Sequence, residues 1–348
     1  MVLGGTLLGI QACQDKDIPE PPEAMSQETG TVTTLAGSGP GYRDDQVANA
    51  QFYFPNALTV ASDGVIYVAD TDNNRIRKIA LTGEVTTLAG GEQGYADGIG
   101  SQAKFDLPSA IAVAADGNLY VTDAHNHRIR KITPAGEVTT LAGSQKGYAD
   151  GVGDQAQFWD PWGIVVDTQG SIYVSDAGNH KIRKITASGV VTTFVGGDGG
   201  YADGKGNQAQ FYYPVGLAIS TDGTLYIADS GNYRVRKATT SGAVTTFAGG
   251  EKGYIDGKGS KAKFAYPQGI ALTPSGILYV TDAVNNSIRR ISSTGMVTSL
   301  CGSYQGKSDG TGSQASFDDP MGISLAVDGS LYVADRVNHS IRKITVSE

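Results

Sequence analysis

Cysteine, methionine, tryptophan and histidine are scarce in this sequence, with 2, 4, 2 and 4 of each among 348 residues. Two cysteines cannot make a disulfide framework. Positive charge is also in deficit, because 27 Lys and Arg residues stand against 35 Asp and Glu, which gives a net charge of −8 at pH 7. A protein that neutralises phosphates needs a dense Lys and Arg surface. The composition therefore argues against nucleic acid as a partner.

Glycine and tyrosine are abundant, with 48 and 17 residues, and one segment that begins with glycine recurs along the chain. Long helices favour runs of Ala, Leu, Glu and Lys, so the composition instead favours short strands joined by tight turns. The segment GNLYVTDAHNHRIRKI has six copies whose first glycines are 53 residues apart. These glycines are Gly64, Gly117, Gly170, Gly223, Gly276 and Gly329. A constant period of this size indicates a solenoid or a propeller.

Each repeat contains four strand-like runs, which in the second repeat cover residues 109–114, 118–123, 128–132 and 138–142. An Asp-Gly turn at 116–117 separates the first two runs, and this dipeptide is the strongest short-range signal of a hairpin. Radial repetition of such units leaves only short, protected strand edges. We therefore predict an all-β protein, a six-bladed β-propeller made of four-stranded antiparallel blades.

The two ends of the repeat region complement each other. Residues 32–36 have a fourth-strand sequence, whereas the last repeat ends just after its third strand, at 344–345. We predict that the N-terminal strand closes the last blade and that the propeller occupies residues 31–348. Deletion of residues 31–37 is expected to open the ring.

The N-terminal part differs from the repeats. Residues 1–13 are apolar and end in Leu-Gly-Ile-Gln-Ala-Cys, which resembles a bacterial lipobox although no basic residue precedes it. We interpret residues 1–13 as a lipoprotein-type signal remnant with Cys13 as the lipidated residue, and an incidental apolar start is the alternative. Residues 14–30 are rich in Pro and acidic residues, which predicts a disordered tether. On this interpretation we expect a protein of the cell envelope that is either lipid-anchored or exported. We expect it to contact a membrane only through its lipid anchor.

Several residues recur in all six repeats, which indicates a structural role. An Asp of the second strand and an Arg of the third are predicted to pair, because an unpaired buried charge is costly. In the connection before each blade, a Phe is predicted to plug the space between blades, and an Asp to satisfy its own turn rather than bind calcium. The paired positions are Asp70–Arg77, Asp123–Arg130, Asp176–Arg183, Asp229–Arg236, Asp282–Arg289 and Asp335–Arg342, and the connection residues are Asp44, Asp97, Asp150, Asp203, Asp256, Asp309 and Phe52, Phe105, Phe158, Phe211, Phe264, Phe317. Cys301 occupies a repeat position otherwise held by Ala or Val and is predicted to be buried.

The repeat, F-x-x-P-x-G-I-A-V, then D-G-x-L-Y-V-A-D-x-x-N-H-R-I-R-K-I, then G-x-V-T-T-L-A-G, resembles the NHL repeat over residues 31–347. This resemblance implies a six-bladed propeller. It is compatible with a binding module, and some six-bladed relatives are enzymes that hold a divalent metal on the ring axis, such as gluconolactonase-like hydrolases and peptidylglycine amide lyases. Other NHL domains bind RNA, which the acidic balance of this chain disfavours.

Positions that differ between repeats are where an asymmetric function can lie. In a propeller, the connection into the first strand and the turn between the second and third strands open onto one face, around the central channel. Both tryptophans, several tyrosines and four aspartates fall there, and aromatic rings beside carboxylates suit sugars, peptides and cationic ligands. The candidate ligand-binding residues are Tyr53, Phe54, Asn56, Asp106, Ser109, His125, Trp159, Asp160, Trp162, Tyr212, Tyr213, Tyr266, Gln268, Asp318, Asp319, Met321 and Arg336.

We predict an extracytoplasmic, tethered binding module that recognises a glycan, a peptide or a protein on this face, with no catalytic residue, metal or cofactor assigned. One alternative is that these side chains only pack between blades. The other is a metal-dependent hydrolase or lyase with a divalent cation on the channel axis. Against a metal, the first strands contain no Glu, and His127, His180 and His339 share one repeat position that is spread around the ring.

Overall fold

Each repeat forms one antiparallel sheet, and six sheets stand in a ring in the computed structural model, which describes residues 28–347. The first strand of each sheet packs against the first strands of the sheets before and after it, and the last sheet packs against the first. The predicted all-β, six-bladed β-propeller is confirmed. The described residues include no helix that is long and apolar enough to cross a membrane.

The strands are numbered in chain order. The first part of the ring contains β1 (Thr29–Ala36), β2 (Asp45–Gln46), β3 (Pro55–Val60), β4 (Ile66–Asp70), β5 (Arg75–Ile79), β6 (Glu84–Gly90), β7 (Gly98–Ile99), β8 (Pro108–Val113), β9 (Leu119–Asp123), β10 (Arg128–Ile132) and β11 (Glu137–Ala142). The middle part contains β12 (Gly151–Val152), β13 (Pro161–Val166), β14 (Ile172–Asp176), β15 (Lys181–Ile185), β16 (Val190–Val195), β17 (Gly204–Lys205), β18 (Pro214–Ile219), β19 (Leu225–Asp229), β20 (Arg234–Ala238) and β21 (Ala243–Gly249). The last part contains β22 (Gly257–Lys258), β23 (Pro267–Leu272), β24 (Leu278–Asp282), β25 (Ser287–Ile291), β26 (Met296–Cys301), β27 (Gly310–Thr311), β28 (Pro320–Leu325), β29 (Leu331–Asp335) and β30 (Ser340–Ser347). Short 3₁₀ segments lie at Thr71–Asn73, Gly100–Gln102, Gly153–Gln155, Ala177–Asn179, Gly206–Gln208, Ser230–Asn232, Gly259–Lys261, Ala283–Asn285 and Gly312–Gln314.

The four predicted strands are present in every blade, and a short fifth strand joins them at the outer edge. In the second blade the order from the ring axis outward is β8, β9, β10, β11 and β7. The two residues of β7 belong to the connection that precedes the blade, and Gly98 pairs with Val138 of the outer strand. The connection therefore runs back along its own blade before it enters the first strand.

The N-terminal strand closes the ring, as predicted. Strand β1 lies in the last blade and pairs antiparallel with β30. It begins at Thr29, before the predicted boundary, and the carboxylate of Glu28 accepts two hydrogen bonds from the Arg290 guanidinium at 2.7 and 2.9 Å. The predicted signal remnant with Cys13, and nearly all of the predicted tether, lie outside the described residues.

The core consists of six apolar clusters, each shared by neighbouring blades. Phe105 is fully buried and belongs to a cluster with Val121 of its own blade and Ala89 of the blade before. The equivalent phenylalanines Phe52, Phe158, Phe211, Phe264 and Phe317 are also fully buried. The predicted plug between blades is thus confirmed. Cys301 is buried in the same way, as predicted, and burial raises the pKa of its thiol.

A buried arginine links the second strand of each blade to the preceding connection. Arg130 and Asp123 are both fully buried, and Nη1 of Arg130 lies 2.7 Å from Oδ2 of Asp123. Nη2 of Arg130 lies 2.7 Å from Oδ1 of Asp97, and Oδ2 of Asp97 accepts a hydrogen bond from the amide of Thr140. The Asp–Arg pairing is confirmed. The prediction that Asp97 satisfies its own turn is wrong, because its partners lie in the third and fourth strands.

Candidate functional site

The connections into the first strands meet the turns between second and third strands on one face of the ring, which we call the channel mouth. The main chain joins them, since the amide of His125 donates to Asp106 O at 3.2 Å and that of Gly178 to Trp159 O at 2.9 Å. The predicted grouping of these two loops is therefore observed. The residue just before each proline has a left-handed backbone, with φ between 48° and 62°. These residues are Phe54, Leu107, Asp160, Tyr213, Tyr266 and Asp319.

At four of the six blade junctions, the amide of this left-handed residue is bound by a side chain of the preceding blade. Nδ1 of His180 accepts the amide of Tyr213 at 3.1 Å, and Nδ1 of His339 accepts that of Phe54 at 3.1 Å. Asn oxygens do the same at the other two, where Asn74 binds Leu107 and Asn286 binds Asp319. The shared repeat position of these histidines is thus a joint between blades.

The two histidine joints predict a pH-dependent stability. Burial lowers the pKa of His180 and of His339, which fits a neutral ring that accepts an N–H. A base whose folded pKa is lowered contributes stability that is fully present above its unfolded pKa of about 6.5 and is lost as the pH falls. We expect the double variant His180→Asn/His339→Asn to lose less stability than the wild type between pH 7.5 and pH 5, measured by urea unfolding. Equal losses would contradict this role, since Asn is the native residue at two equivalent joints.

Exposed and partly buried aromatic side chains lie at the mouth over blades three to five, and we call them the aromatic arc: Trp159, Trp162, Tyr212, Tyr213, Tyr233 and Tyr266. The rings of Trp162 and Tyr213 are 6.4 Å apart, and the Tyr213 hydroxyl donates a hydrogen bond to Asp160. Burial raises the pKa of the Tyr213 hydroxyl, and the hydrogen bond to Asp160 and the charge of that carboxylate raise it further. The hydroxyl therefore stays protonated. Trp159 and Tyr212 remain 42% and 53% exposed.

Other residues of the arc make further aromatic and cation–π contacts. The ring of Tyr212 stacks on His180 at 5.3 Å, and Tyr266 meets Tyr233 edge-on at 5.1 Å. The ammonium of Lys146 lies 4.2 Å from the centre of the Trp159 ring. Five candidates predicted from the sequence, the two tryptophans with Tyr212, Tyr213 and Tyr266, thus lie at the mouth over three successive blades, and Asp160 lies among them.

The remaining candidates lie around the mouth in smaller groups. At the seam between the last and first blades, Tyr53 stacks on His339 at 5.4 Å, and Phe54 meets the same ring edge-on at 4.5 Å. Arg336 lies over Phe54 and bonds Asp319 at 2.9 Å. These groups are separate from the arc along the ring.

One repeat position that was not predicted from the sequence contacts the predicted site residues. Gln93 donates to Asp106 at 3.0 Å, and Gln305 donates to Asp318 at 3.1 Å. Lys146 in the same repeat position covers Trp159 instead. A signal was available for the glutamines, because this position holds Gln in the two repeats whose partner position holds Asp106 or Asp318.

The level just after the prolines forms the floor of the mouth. Asn56 and Ser109 are buried, and Nδ2 of Asn56 donates to Ser109 O of the next blade at 2.6 Å. Met321 is buried too, and Gln268 lines the same cavity of about 50 Å³, where it donates to Ser230. The cavity is too small for more than about one or two water molecules. These predicted residues line the floor of the mouth together with Trp162, whereas the other arc residues are more exposed.

Comparison with known proteins places this propeller among its relatives. A family model described as the virginiamycin B lyase family matches residues 104–348, and a model of the NHL repeat matches residues 52–79. The first match covers more than half of the chain. The chain belongs to the virginiamycin B lyase family. The NHL resemblance inferred from the repeat is confirmed as well.

This member of the virginiamycin B lyase family also resembles proteins of other descriptions. It is 30% identical to NHL repeat-containing protein 2 of Homo sapiens over 86% of the chain, and it spans about half of that protein, 47%. The structure of an auxiliary nutrient binding protein from Bacteroides thetaiotaomicron matches with a TM-score of 0.71 at 17% identity, over 92% of this chain and 78% of that one. The structure of virginiamycin B lyase from Staphylococcus aureus matches with a TM-score of 0.60 at 17% identity, over 91% of this chain and 99% of that one. At these identities, the likeness to solved structures shows the fold alone.

The titratable side chains of this family member are dispersed around the ring. Within residues 28–347, no group of three or more His, Cys, Asp or Glu residues lies close enough together to hold a metal ion. His125 is mostly exposed, and its Nδ1 lies 3.6 Å from Oδ1 of Asp106. This pair is the main acid–base grouping that the mouth brings together from the predicted residues.

Proposed function

We propose that this member of the virginiamycin B lyase family is a binding module whose ligand lies on the aromatic arc. The observation that carries the proposal is the asymmetric aromatic surface formed by the exposed Trp159 and Tyr213 and the partly buried Trp162 beside Asp160. Half-exposed rings give a large contact area at a small entropy cost. The ligand classes that this surface suits are a glycan, a peptide or a protein segment.

Other exposed tyrosines show what a structural aromatic looks like in this fold. Tyr95 is also half-exposed, but its hydroxyl bonds Thr140 at 3.0 Å and its face is covered by Arg128 at 4.0 Å. Tyr occupies this position in five of the six repeats, so it belongs to the blade. The arc residues differ from repeat to repeat, which supports a role outside the shared architecture.

The setting of the module is proposed from the sequence. The lipobox-like end at Cys13 and the acidic, Pro-rich residues 14–30 favour an exported or lipid-anchored protein in the cell envelope. A net charge of −8 disfavours nucleic acid as the ligand. The arc would then face molecules outside the cytoplasm.

We expect loss of the arc to abolish binding. A glycan and peptide array, screened with the wild type, Trp159→Ala and Trp162→Ala, should show hits that fall at least tenfold in signal with either variant. Val327→Ala is the matched control, because Val327 is 86% exposed and lies on a hairpin at the opposite face. Equal binding by all four proteins would remove the arc from consideration. Trp162 also packs against the core, so Trp162→Ala could reduce binding by disturbing the fold. Trp162→Phe keeps an apolar ring in the core, and a loss of binding in this variant would therefore point to lost contact with the ligand.

The alternative function is a metal-dependent hydrolase or lyase, which the family match favours. The exposed His125 beside Asp106 is the grouping best placed to serve it. Metal analysis of the purified protein separates the two functions. A stoichiometric divalent ion that is lost in Asp106→Asn would favour the enzyme, and metal-free protein that still binds its array hits would favour the module.

A further inference from the structure

In four of the six blades, a cationic side chain at the start of the third strand covers a tyrosine of the preceding connection. The guanidinium of Arg128 lies 4.0 Å from the centre of the Tyr95 ring. Its Nη1 also donates to the main-chain oxygen of Asn126 at 2.6 Å. The equivalent pairs in the first, third and fourth blades are Arg75–Tyr42, Lys181–Tyr148 and Arg234–Tyr201, at 3.8, 4.8 and 3.9 Å.

The Asn oxygen that accepts this hydrogen bond has a cationic donor in five blades. The bonds equivalent to that of Arg128 measure 3.1, 3.4 and 2.7 Å in the first, third and fourth blades. In the last blade Ser340 replaces the arginine, and the ammonium of Lys307 donates to Asn338 O at 3.4 Å instead. A cation therefore binds this oxygen even where the third strand does not supply one.

The fifth blade has the tyrosine and the oxygen but lacks the cation. Ser287 stands in the arginine position, and its buried Oγ has no hydrogen-bond partner. The two arginines of the same strand bond carboxylates, Arg289 in its Asp–Arg pair and Arg290 with Glu28. Within residues 28–347, Asn285 O is thus the one oxygen of this set without a cationic donor.

The tyrosine of the fifth blade, Tyr254, is 44% exposed. Among the described residues it has only the buried Arg289 as a cation near its ring, at 4.6 Å, whereas the other four tyrosines have this contact at 5.0 Å in addition to the second cation. The Tyr95 hydroxyl bonds Thr140, but the hydroxyl of Ser299 in the fifth blade bonds an aspartate. An aromatic face attracts a cation within about 6 Å of its centre. Tyr254 therefore offers a ring to a cation that its own blade does not supply.

A second exposed tyrosine follows in the next connection. In the third blade Lys181 donates to Gly197 O at 2.7 Å, and Asp198 comes directly after this glycine. Tyr304 occupies the repeat position of Asp198 and is 54% exposed. The six residues at this position are Gly39, Glu92, Gln145, Asp198, Glu251 and Tyr304. An aromatic residue thus replaces the carboxylate found at this position after two of the arginines and after the lysine.

We infer that Tyr254, the main-chain oxygen of Asn285 and Tyr304 bind the guanidinium group of an arginine from a partner peptide or protein. Three of the four cations that cover the equivalent tyrosines are arginines, whose planar group stacks on a ring and donates hydrogen bonds at the same time. The net charge of −8 attracts cationic partners. The site lies outside the aromatic arc, so it is independent of the function proposed for the arc.

The test fills the site with the side chain that the other repeats have there. Ser287→Arg supplies the guanidinium from the blade itself, whereas Ser287→Ala leaves the place vacant. Ser293→Arg adds the same charge at an exposed turn of the same blade and is the control for charge. The full-length proteins are titrated with Nα-acetyl-arginine amide and with its neutral analogue Nα-acetyl-citrulline amide, observed by ligand NMR, after urea unfolding has shown that they are folded.

We expect the wild type to bind the arginine probe at least about fivefold more tightly than the citrulline probe. Ser287→Ala and Ser293→Arg should keep this preference, and Ser287→Arg should lose it. Tyr254→Leu, which removes the ring without changing the third strand, should lose it as well. The inference is overturned if the wild type shows no preference, or if Ser287→Arg and Tyr254→Leu retain it. Tighter binding of Nα-acetyl-lysine amide than of the arginine probe would overturn the choice of guanidinium.

Discussion

Deletion of residues 31–37 is expected to lower the free energy of unfolding by on the order of 5 kcal/mol or more, and to broaden the unfolding transition. Strand β1 is the only partner of β30 on that side of the last blade within the described residues. The deletion removes the buried side chains of Val32 and Ala36, and burial of a Val side chain alone contributes about 1.5–3 kcal/mol. Each lost ladder hydrogen bond adds about 0.5–1.5 kcal/mol. Without β1, strand β30 has no antiparallel partner on its outer side, and the last blade is incomplete.

The effect is measured by urea unfolding followed by circular dichroism, with hydrogen exchange of β30 as a local readout. Removal of residues 1–27 is the control, because every described contact of β1 remains. We expect the control to unfold at the wild-type midpoint. A deletion variant with unchanged midpoint and unchanged protection of β30 would show that the ring does not depend on this strand.

The fold was predictable because one period is repeated six times in phase. A single copy would have left the four strand-like runs ambiguous, but six copies fix which positions are shared. Phe105 and the Asp123–Arg130 pair were recognised in that way as structural. A residue that fills the same position in every blade must serve something that every blade needs.

Contacts inside the connections were not predictable from the repeat pattern. Asp97 was expected to bind its own turn, yet its carboxylate bonds Arg130 and Thr140. The cause is β7, which brings the connection back beside the outer strand of its own blade. Two residues of pairing are too short to leave a periodic pattern, so only the folded chain reveals where the Asp lies.

The candidate site was predictable in its aromatic residues and not in their surroundings. Trp159 stood out because tryptophan is rare and the position varies. The contact of Lys146 with this ring depends on where the Lys146 side chain points, which the sequence alone does not show.

Arg130→Met is expected to be the most destabilising single substitution in the second blade, at about 3–5 kcal/mol near neutral pH. Arg130 and Asp123 are both fully buried, so the substitution leaves a carboxylate without its strongest charge partner. Asp97→Asn should cost far less, about 0–1 kcal/mol, since Asp97 is 45% exposed. Urea unfolding of the two variants checks this order, and equal losses would contradict it.

The cost of Arg130→Met should also depend on pH, which identifies its cause. Burial raises the pKa of Asp123, and Arg130 is the strongest influence opposing that rise. Without Arg130 the pKa rises further, and a carboxyl with a raised folded pKa stabilises below its unfolded pKa and loses this contribution as the pH increases. The variant should therefore lie closest to the wild type near pH 4 and fall away toward pH 8. Arg130→Met/Asp123→Asn removes the titrating group, so its difference from the wild type should vary less with pH than that of the single variant and should be smaller at pH 8. A double variant less stable than Arg130→Met at pH 8 would mean that packing, rather than the unpaired charge, dominates the loss.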